Sequence, residues 1–129
     1  MNEIELTYNG VVTAKKNSKQ IIWNRRSGRP LLISNHRAKK QEKDMAWEFY
    51  AQALKLGWHM EDDRKNSTFA ITMYIWNKDH RRRDLDNQAT AILDALVNAR
   101  IIPDDGVDYV PKLCVEYKGV DRENPRAVI

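Results

Sequence analysis

One cysteine, Cys114, is all that 129 residues contain. An internal disulfide is therefore impossible, and a thiolate zinc cage cannot be built from this chain alone, which points to a reducing setting. No apolar run approaches the roughly 18 residues that a membrane helix requires. Met1 to Gly10 also lacks the basic start and apolar core of a signal peptide. A soluble, cytoplasmic protein with no membrane partner is the expectation. Internal repeats and low-complexity segments are missing as well. The histidines, His36, His59 and His80, stand too far apart to suggest zinc ligands and read as surface or packing residues.

What is present suits one packed unit. Hydrophobic residues make up 42% of the chain and four are tryptophans, enough for a single core, so one domain over residues 1–129 is expected. A net charge of +4 leans modestly toward a polyanionic partner. Its distribution says more. Lys15, Lys16, Lys19, Arg25, Arg26, Arg29, Arg37, Lys39, Lys40 and Lys43 crowd the first third, whereas Glu61 to Asp63 and Asp104 to Asp108 are acidic.

Periodicity supplies the elements. Ile4, Leu6 and Tyr8 alternate with polar residues and predict a strand. Ile21 to Trp23 and Pro30 to Ile33 flank the turn-rich Asn24 to Arg29 and predict a hairpin with a basic tip. Ser34 is a candidate N-cap for a helix reaching Leu56, with Met45, Phe49, Ala53 and Leu56 as its apolar face and Gly57 as its stop. Phe69 to Trp76 reads as a strand apolar on both faces, hence central. Ile92, Ala95, Leu96 and Ala99 mark a second helix from about Asp86, closed by Pro103. Leu113, Val115 and Tyr117 form a last long strand, with a short one at Ala127 to Ile129. The order predicts a compact α+β domain, a mixed β-sheet with two main helices on one face.

The segment Arg81-Arg82-Arg83-Asp84-Leu85-Asp86-Asn87 lies between the predicted central strand and the second helix. In extended backbone, residues two apart face the same way, so Asp84 and Asp86 present their carboxylates together with Leu85 turned inward. Such a pair suits Mg²⁺, which prefers oxygen ligands and is commonly held by carboxylates, water and phosphate. The helix start adds unpaired N–H groups and the positive end of a macrodipole, both favourable to phosphate. Arg81, Arg82 and Arg83 would grip the flanking backbone. The plainer alternative is an ordinary N-cap beside a solvated arginine loop. A second acidic pair, Asp104-Asp105, follows the same helix, and an active site needs the two clusters to meet.

Arg83-Asp84-Leu85-Asp86-Asn87, then Leu93-Asp94-Ala95-Leu96, then Asp104-Asp105 resembles the RusA-type Holliday junction resolvases in order and spacing. The resemblance implies a metal-binding and catalytic trio of Asp84, Asp86 and Asp105, with Arg83 as a functional basic neighbour. It further implies a homodimer, a need for Mg²⁺ or Mn²⁺, and paired symmetric nicks across four-way DNA junctions in recombination and repair. The N-terminal half agrees more loosely, through a basic loop with Asn17, a basic hairpin and a serine opening a helix. Lys15, Lys16, Asn17, Lys19, Arg25, Arg26 and Arg29 are the DNA-binding candidates beside Arg81 to Arg83. One departure stands out: relatives carry a catalytic lysine four residues after the second aspartate, where this chain has Thr90. Lys118, in register with Glu116, is the preferred substitute cation, with Arg83 and Lys112 in reserve. Asp94 reads as structural, and Asp104 and Asp108 as solvated or supporting.

Two other readings remain open. Pro103-Asp104 with Glu116-Tyr117-Lys118 resembles the PD-(D/E)xK nuclease signature, with Asp104, Glu116 and Lys118 as its site, but leaves Asp84 to Asn87 unexplained. Alternatively, the basic loop and hairpin bind branched DNA without cutting it. Most tryptophans are core candidates, while Trp23, beside the basic hairpin, is placed to stack on an unpaired base.

Overall fold

The computed structural model describes residues 3–14, 19–34, 36–58 and 66–129. The element order is β1 (Thr7–Asn9), β2 (Lys19–Asn24), β3 (Arg29–Ser34), α1 (His36–Lys55), β4 (Ala70–Asn77), α2 (Leu85–Asn98), β5 (Lys112–Val120) and β6 (Arg126–Val128). The α+β class expected from the sequence is therefore the class observed. A four-stranded sheet has the order β1-β6-β4-β5, and β2 and β3 form a separate antiparallel pair. β4 and β5 run parallel, joined by α2 as a crossover, while β6 is antiparallel to both β4 and β1. The sheet is thus mixed.

α1 forms because Ala38, Met45, Phe49 and Ala53 recur along one face, and all four are buried. It stops at a left-handed Gly57 (φ +76°), where Trp58 N–H bonds Ala53 O at 2.9 Å and Gly57 N–H bonds Leu54 O at 3.3 Å. That turn swings Leu56 out, so it is exposed rather than part of the apolar face. Ser34 ends β3, paired with Lys19, and is not the residue next to the helix. Asn35, Lys15, Lys16, Asn17 and His59 lie outside the described residues.

α1 also closes the sheet's outer edge. Gln52 accepts from Thr7 N–H at 2.8 Å and donates to Thr7 O at 2.7 Å. Eleven residues earlier, Gln41 accepts from Thr13 N–H and donates to Val11 O, both at 2.7 Å. The Gln52 amide satisfies backbone that the edge strand would leave open, and the Gln41 amide ties down the segment that follows it.

Both helices pack one sheet face. Ile71, Met73 and Ile75 of β4 and Ala127 of β6 join Phe49, Ile92 and Leu96 in one core. Central placement of β4 holds, but burial on both faces does not: Ala70, Thr72 and Tyr74 are exposed. That open face is dressed with cations instead, Arg126 lying 3.9 Å from the Trp76 ring and Lys118 Nζ 5.5 Å from the Tyr74 ring. α2 ends at Asn98, five residues before Pro103, because Arg100 turns left-handed (φ 60°) and Ile101 N–H bonds Leu96 O at 2.9 Å. The turn sends Ile101 and Ile102 into the core. No helix among the described residues is long and apolar enough to cross a membrane.

Candidate active site

The passage from β4 into α2 is pinned from inside. Gln88, 1% exposed, donates to Asn77 Oδ1 at 2.8 Å and to Val12 O at 3.0 Å. Leaving such buried groups unpaired costs about 1–3 kcal/mol each, so the network fixes the helix start against the end of the central strand. The loop between them folds around Asp79, whose Oδ1 accepts from Arg83 Nη1 at 2.7 Å and from Arg81 N–H at 3.1 Å. Those bonds, Arg83's first, hold the Asp79 carboxyl below its ordinary range. Arg83 donates also to Arg81 O at 3.2 Å, and its side chain is only 14% exposed. It is engaged in the loop's own fold, whereas Arg81 and Arg82 are exposed. His80, Arg81, Arg82 and Arg83 line, with Gln88 and Tyr117, a cleft of about 330 Å³.

Asp84 is the N-cap residue of α2 in extended backbone, yet its carboxylate makes no capping bond to the helix. One oxygen lies 3.4 Å from Asn87 Nδ2 and the other 3.9 Å from Arg82 Nε, on a side chain 94% exposed. Asp86 is exposed in the first helical turn. Because Asp86 is already helical, the strand alternation expected to align the two carboxylates does not apply, and both stand exposed at the helix start. Leu85 does turn inward and packs on the core. An oxygen-only pair beside cations and free helix N–H groups can hold a hard cation together with a phosphate.

Asp105 does not join them within one chain. It follows the C-terminal end of α2, and Tyr109 O nearby accepts from Phe69 N–H, the residue before β4 begins. Asp84 and Asp86 follow the other end of β4, so α2, with 14 residues, separates the clusters by roughly 20 Å. Among the described residues no three His, Cys, Asp or Glu side chains gather to hold a metal ion. The convergence expected from the sequence is absent from the single chain because the crossover helix runs the length of the sheet before Asp104-Asp105 is reached.

Lys118 is likewise misplaced as the substitute cation. Val115 packs on the core and Tyr117 lines the cleft, so Glu116 and Lys118 point to the opposite, open face. There Lys118 Nζ pairs with Glu116 Oε1 at 3.4 Å. The Asp104, Glu116, Lys118 alternative fails similarly: its last two members meet, while Asp104 stays in the turn before β5, bonded to Asp105 N–H at 2.8 Å. Thr90 donates its hydroxyl to Asp86 O at 2.9 Å. A side chain there lies one turn above Asp86 on the same helix face.

In the hairpin, Arg25, Arg26 and Arg29 are exposed around the turn, and Lys19 opens β2. The Gln88–Asn77 pair was missed by reasoning from sequence. Its signal was available, since Gln88 precedes Ile92 and Ala95 at helical spacing and so falls on the apolar face of α2.

No curated protein matches the chain's sequence. The family model described as endodeoxyribonuclease RusA matches residues 15–129, taking in the basic loop, the hairpin, the Asp84-Asp86 helix start and the last strand. The chain therefore belongs to the RusA endodeoxyribonuclease family.

Proposed function

We propose that the chain is a metal-dependent endonuclease acting on four-way and related branched DNA, cutting phosphodiester bonds at the start of α2. The observation that carries this reading is the pair of exposed carboxylates, Asp84 and Asp86, at the positive end of a helix and beside a cleft lined by arginines. Asp84 and Asp86 would hold Mg²⁺ or Mn²⁺, which in such sites neutralises phosphate charge and activates water. Arg81 and Arg82 hold the flanking backbone, and Arg82, nearest to Asp84, takes the role that family members give to the lysine missing at Thr90. The hairpin arginines bind DNA away from the cut.

Asp105 enters through a second copy. A two-fold dimer matches a two-fold junction, and it lets Asp105 of one copy approach Asp84 and Asp86 of the other, which the length of α2 forbids within one. Two inactive variants, Asp84→Asn and Asp105→Asn, test this directly. Mixed, they form dimers with one intact composite site, and nicking of a single strand returns. If each chain builds its own site, every site in the mixture is broken and no cleavage returns.

The whole reading is tested by cleavage of a mobile four-way junction and a matched linear duplex, with and without Mg²⁺. Metal-dependent nicks confined to the junction are expected. Junction binding without cleavage under any divalent metal would leave a DNA-binding module instead.

A further inference from the structure

Residues 6–41 hold nine lysines and arginines and no aspartate or glutamate, so with +4 for the whole chain the remaining residues carry −5. The β2–β3 hairpin lies inside this cationic stretch and forms its own two-stranded sheet. Among the described residues it makes only slight contact with the other strands and helices. At its end stands Trp23, 65% exposed. Its cross-strand partner is Pro30, also exposed, and residues directly opposite in an antiparallel pair share a face.

The turn beyond Trp23 is locked. Asn24 Oδ1 accepts from Arg26 N–H at 3.0 Å and Ser27 N–H at 3.4 Å. Asn24 O accepts from Gly28 N–H at 2.9 Å, with Gly28 in the left-handed region at φ +64°. Neither the core nor the four-stranded sheet uses the indole. A large apolar plane is thus held in water at the rim of a fixed turn bearing Arg25, Arg26 and Arg29. The chemistry complementary to it is a polyanion that also shows a flat apolar face, which is nucleic acid with an unstacked base. Linear duplex offers the phosphates but keeps its base faces stacked. A branch point, where strands exchange, exposes them.

We infer that Trp23 recognises the branch point, its indole stacking on a base exposed at strand exchange while the turn arginines hold adjoining phosphates. This rests on the branched-DNA reading above. It assigns to one aromatic side chain a preference for a junction over a duplex that acts through base faces, which phosphate contacts do not read.

The test measures binding of the full-length chain to a four-way junction, a linear duplex and a single strand, with 2-aminopurine placed at the exchange point. Trp23→Ala is expected to weaken junction binding roughly tenfold or more, to leave duplex binding and its salt dependence unchanged, and to abolish the 2-aminopurine fluorescence change. Trp23→Phe should keep most of the preference, and an unchanged circular dichroism spectrum excludes unfolding. If the parental chain prefers the junction and Trp23→Ala keeps that preference, the inference fails alone. A parental chain that binds junction and duplex equally overturns the branched-DNA reading and the inference together.

Discussion

The β2–β3 hairpin carries cations and an exposed indole on two strands that pair with each other, whereas the β4–α2–β5 unit carries carboxylates on a helix bolted to a central strand by buried hydrogen bonds. The difference follows from what each group must do. A phosphate contact acts through a field that reaches about 8–10 Å at moderate salt, so a basic arm tolerates displacement. A reacting site must hold its groups to within about half an ångström. On the proposed reading, chemistry belongs to the pinned unit and affinity to the arm.

The largest effect should separate the two outright. Asp84→Asn or Asp86→Asn is expected to lower junction cleavage at least a hundredfold at saturating enzyme, with binding kept or tightened as repulsion of DNA falls. Folding should survive, since Asp84 makes no capping bond. Arg82→Ala should also slow cleavage, Lys118→Ala should not, and Thr90→Lys should speed it. Neutralising Arg25 and Arg26 should leave the saturated rate at the parental value. A saturated rate that fell with the hairpin charges would break the division between arm and site.

Next in size is stability. Gln88→Ala strands Asn77 Oδ1 and Val12 O in the interior, and urea denaturation should show a loss of about 2 kcal/mol or more. Exposed hairpin substitutions such as Arg26→Ala should stay within about 0.5 kcal/mol. A Gln88 variant as stable as the parent would mean that water replaces the amide and that the helix start is not pinned by it.

These contrasts show what could be read from the residues in order. Apolar periodicity located α1, β4 and α2 because each buries a regular stripe, and turn chemistry located the hairpin because Asn24 and Gly28 are what such a turn requires. The Asp84-Leu85-Asp86-Asn87 segment stood out as a candidate site only together with Asp104-Asp105 and the family resemblance, since its charges alone suit an ordinary helix cap as well. Spatial relations were not. That Asp105 lies a helix length from Asp86 depends on the path of the crossover, and that Lys118 faces away depends on the sheet face that the helices cover. The length of α2, expected at about 14 residues, is 14, but the left-handed Arg100 that ends it leaves no trace in composition. The glutamine clamps of α1 are equally silent, since an amide that satisfies backbone looks like any surface glutamine.

Salt dependence sharpens the comparison at smaller scale. Each hairpin arginine that neutralises a phosphate should contribute about 0.9 to the slope of log affinity against log salt. Arg25→Ala with Arg26→Ala should therefore lower the slope by up to about 2, and Asp84→Asn should leave it nearly unchanged. Equal slopes for the parent and the double variant, measured by titration from about 50 to 200 mM salt, would place the DNA backbone elsewhere on the molecule.

Acid provides the smallest effect and tests the pinned unit alone. Asp79 is held below its ordinary value of 3.8 by Arg83 and Arg81 N–H, and Asp121 by Asn124 N–H and then Arg126. A carboxylate whose pKa is lower folded than unfolded adds stability that is complete above the unfolded value and is lost as pH falls through the lower folded one. Both groups stand in solvent, so each contribution is small. Asp79→Asn should therefore cost some stability at pH 7, and that cost should shrink in urea titrations as pH falls below the ordinary aspartate value of 3.8 and through the lower folded one. Arg83→Gln should show the same convergence, because it removes the same charge pair from the other side. Hairpin variants, whose exposed arginines have no acidic partner in residues 6–41, should show no such change with pH. If the gap between the parent and Asp79→Asn persists undiminished in acid, the loop before α2 is held by the shape of its hydrogen bonds to Arg81 and Arg83 and not by their charge.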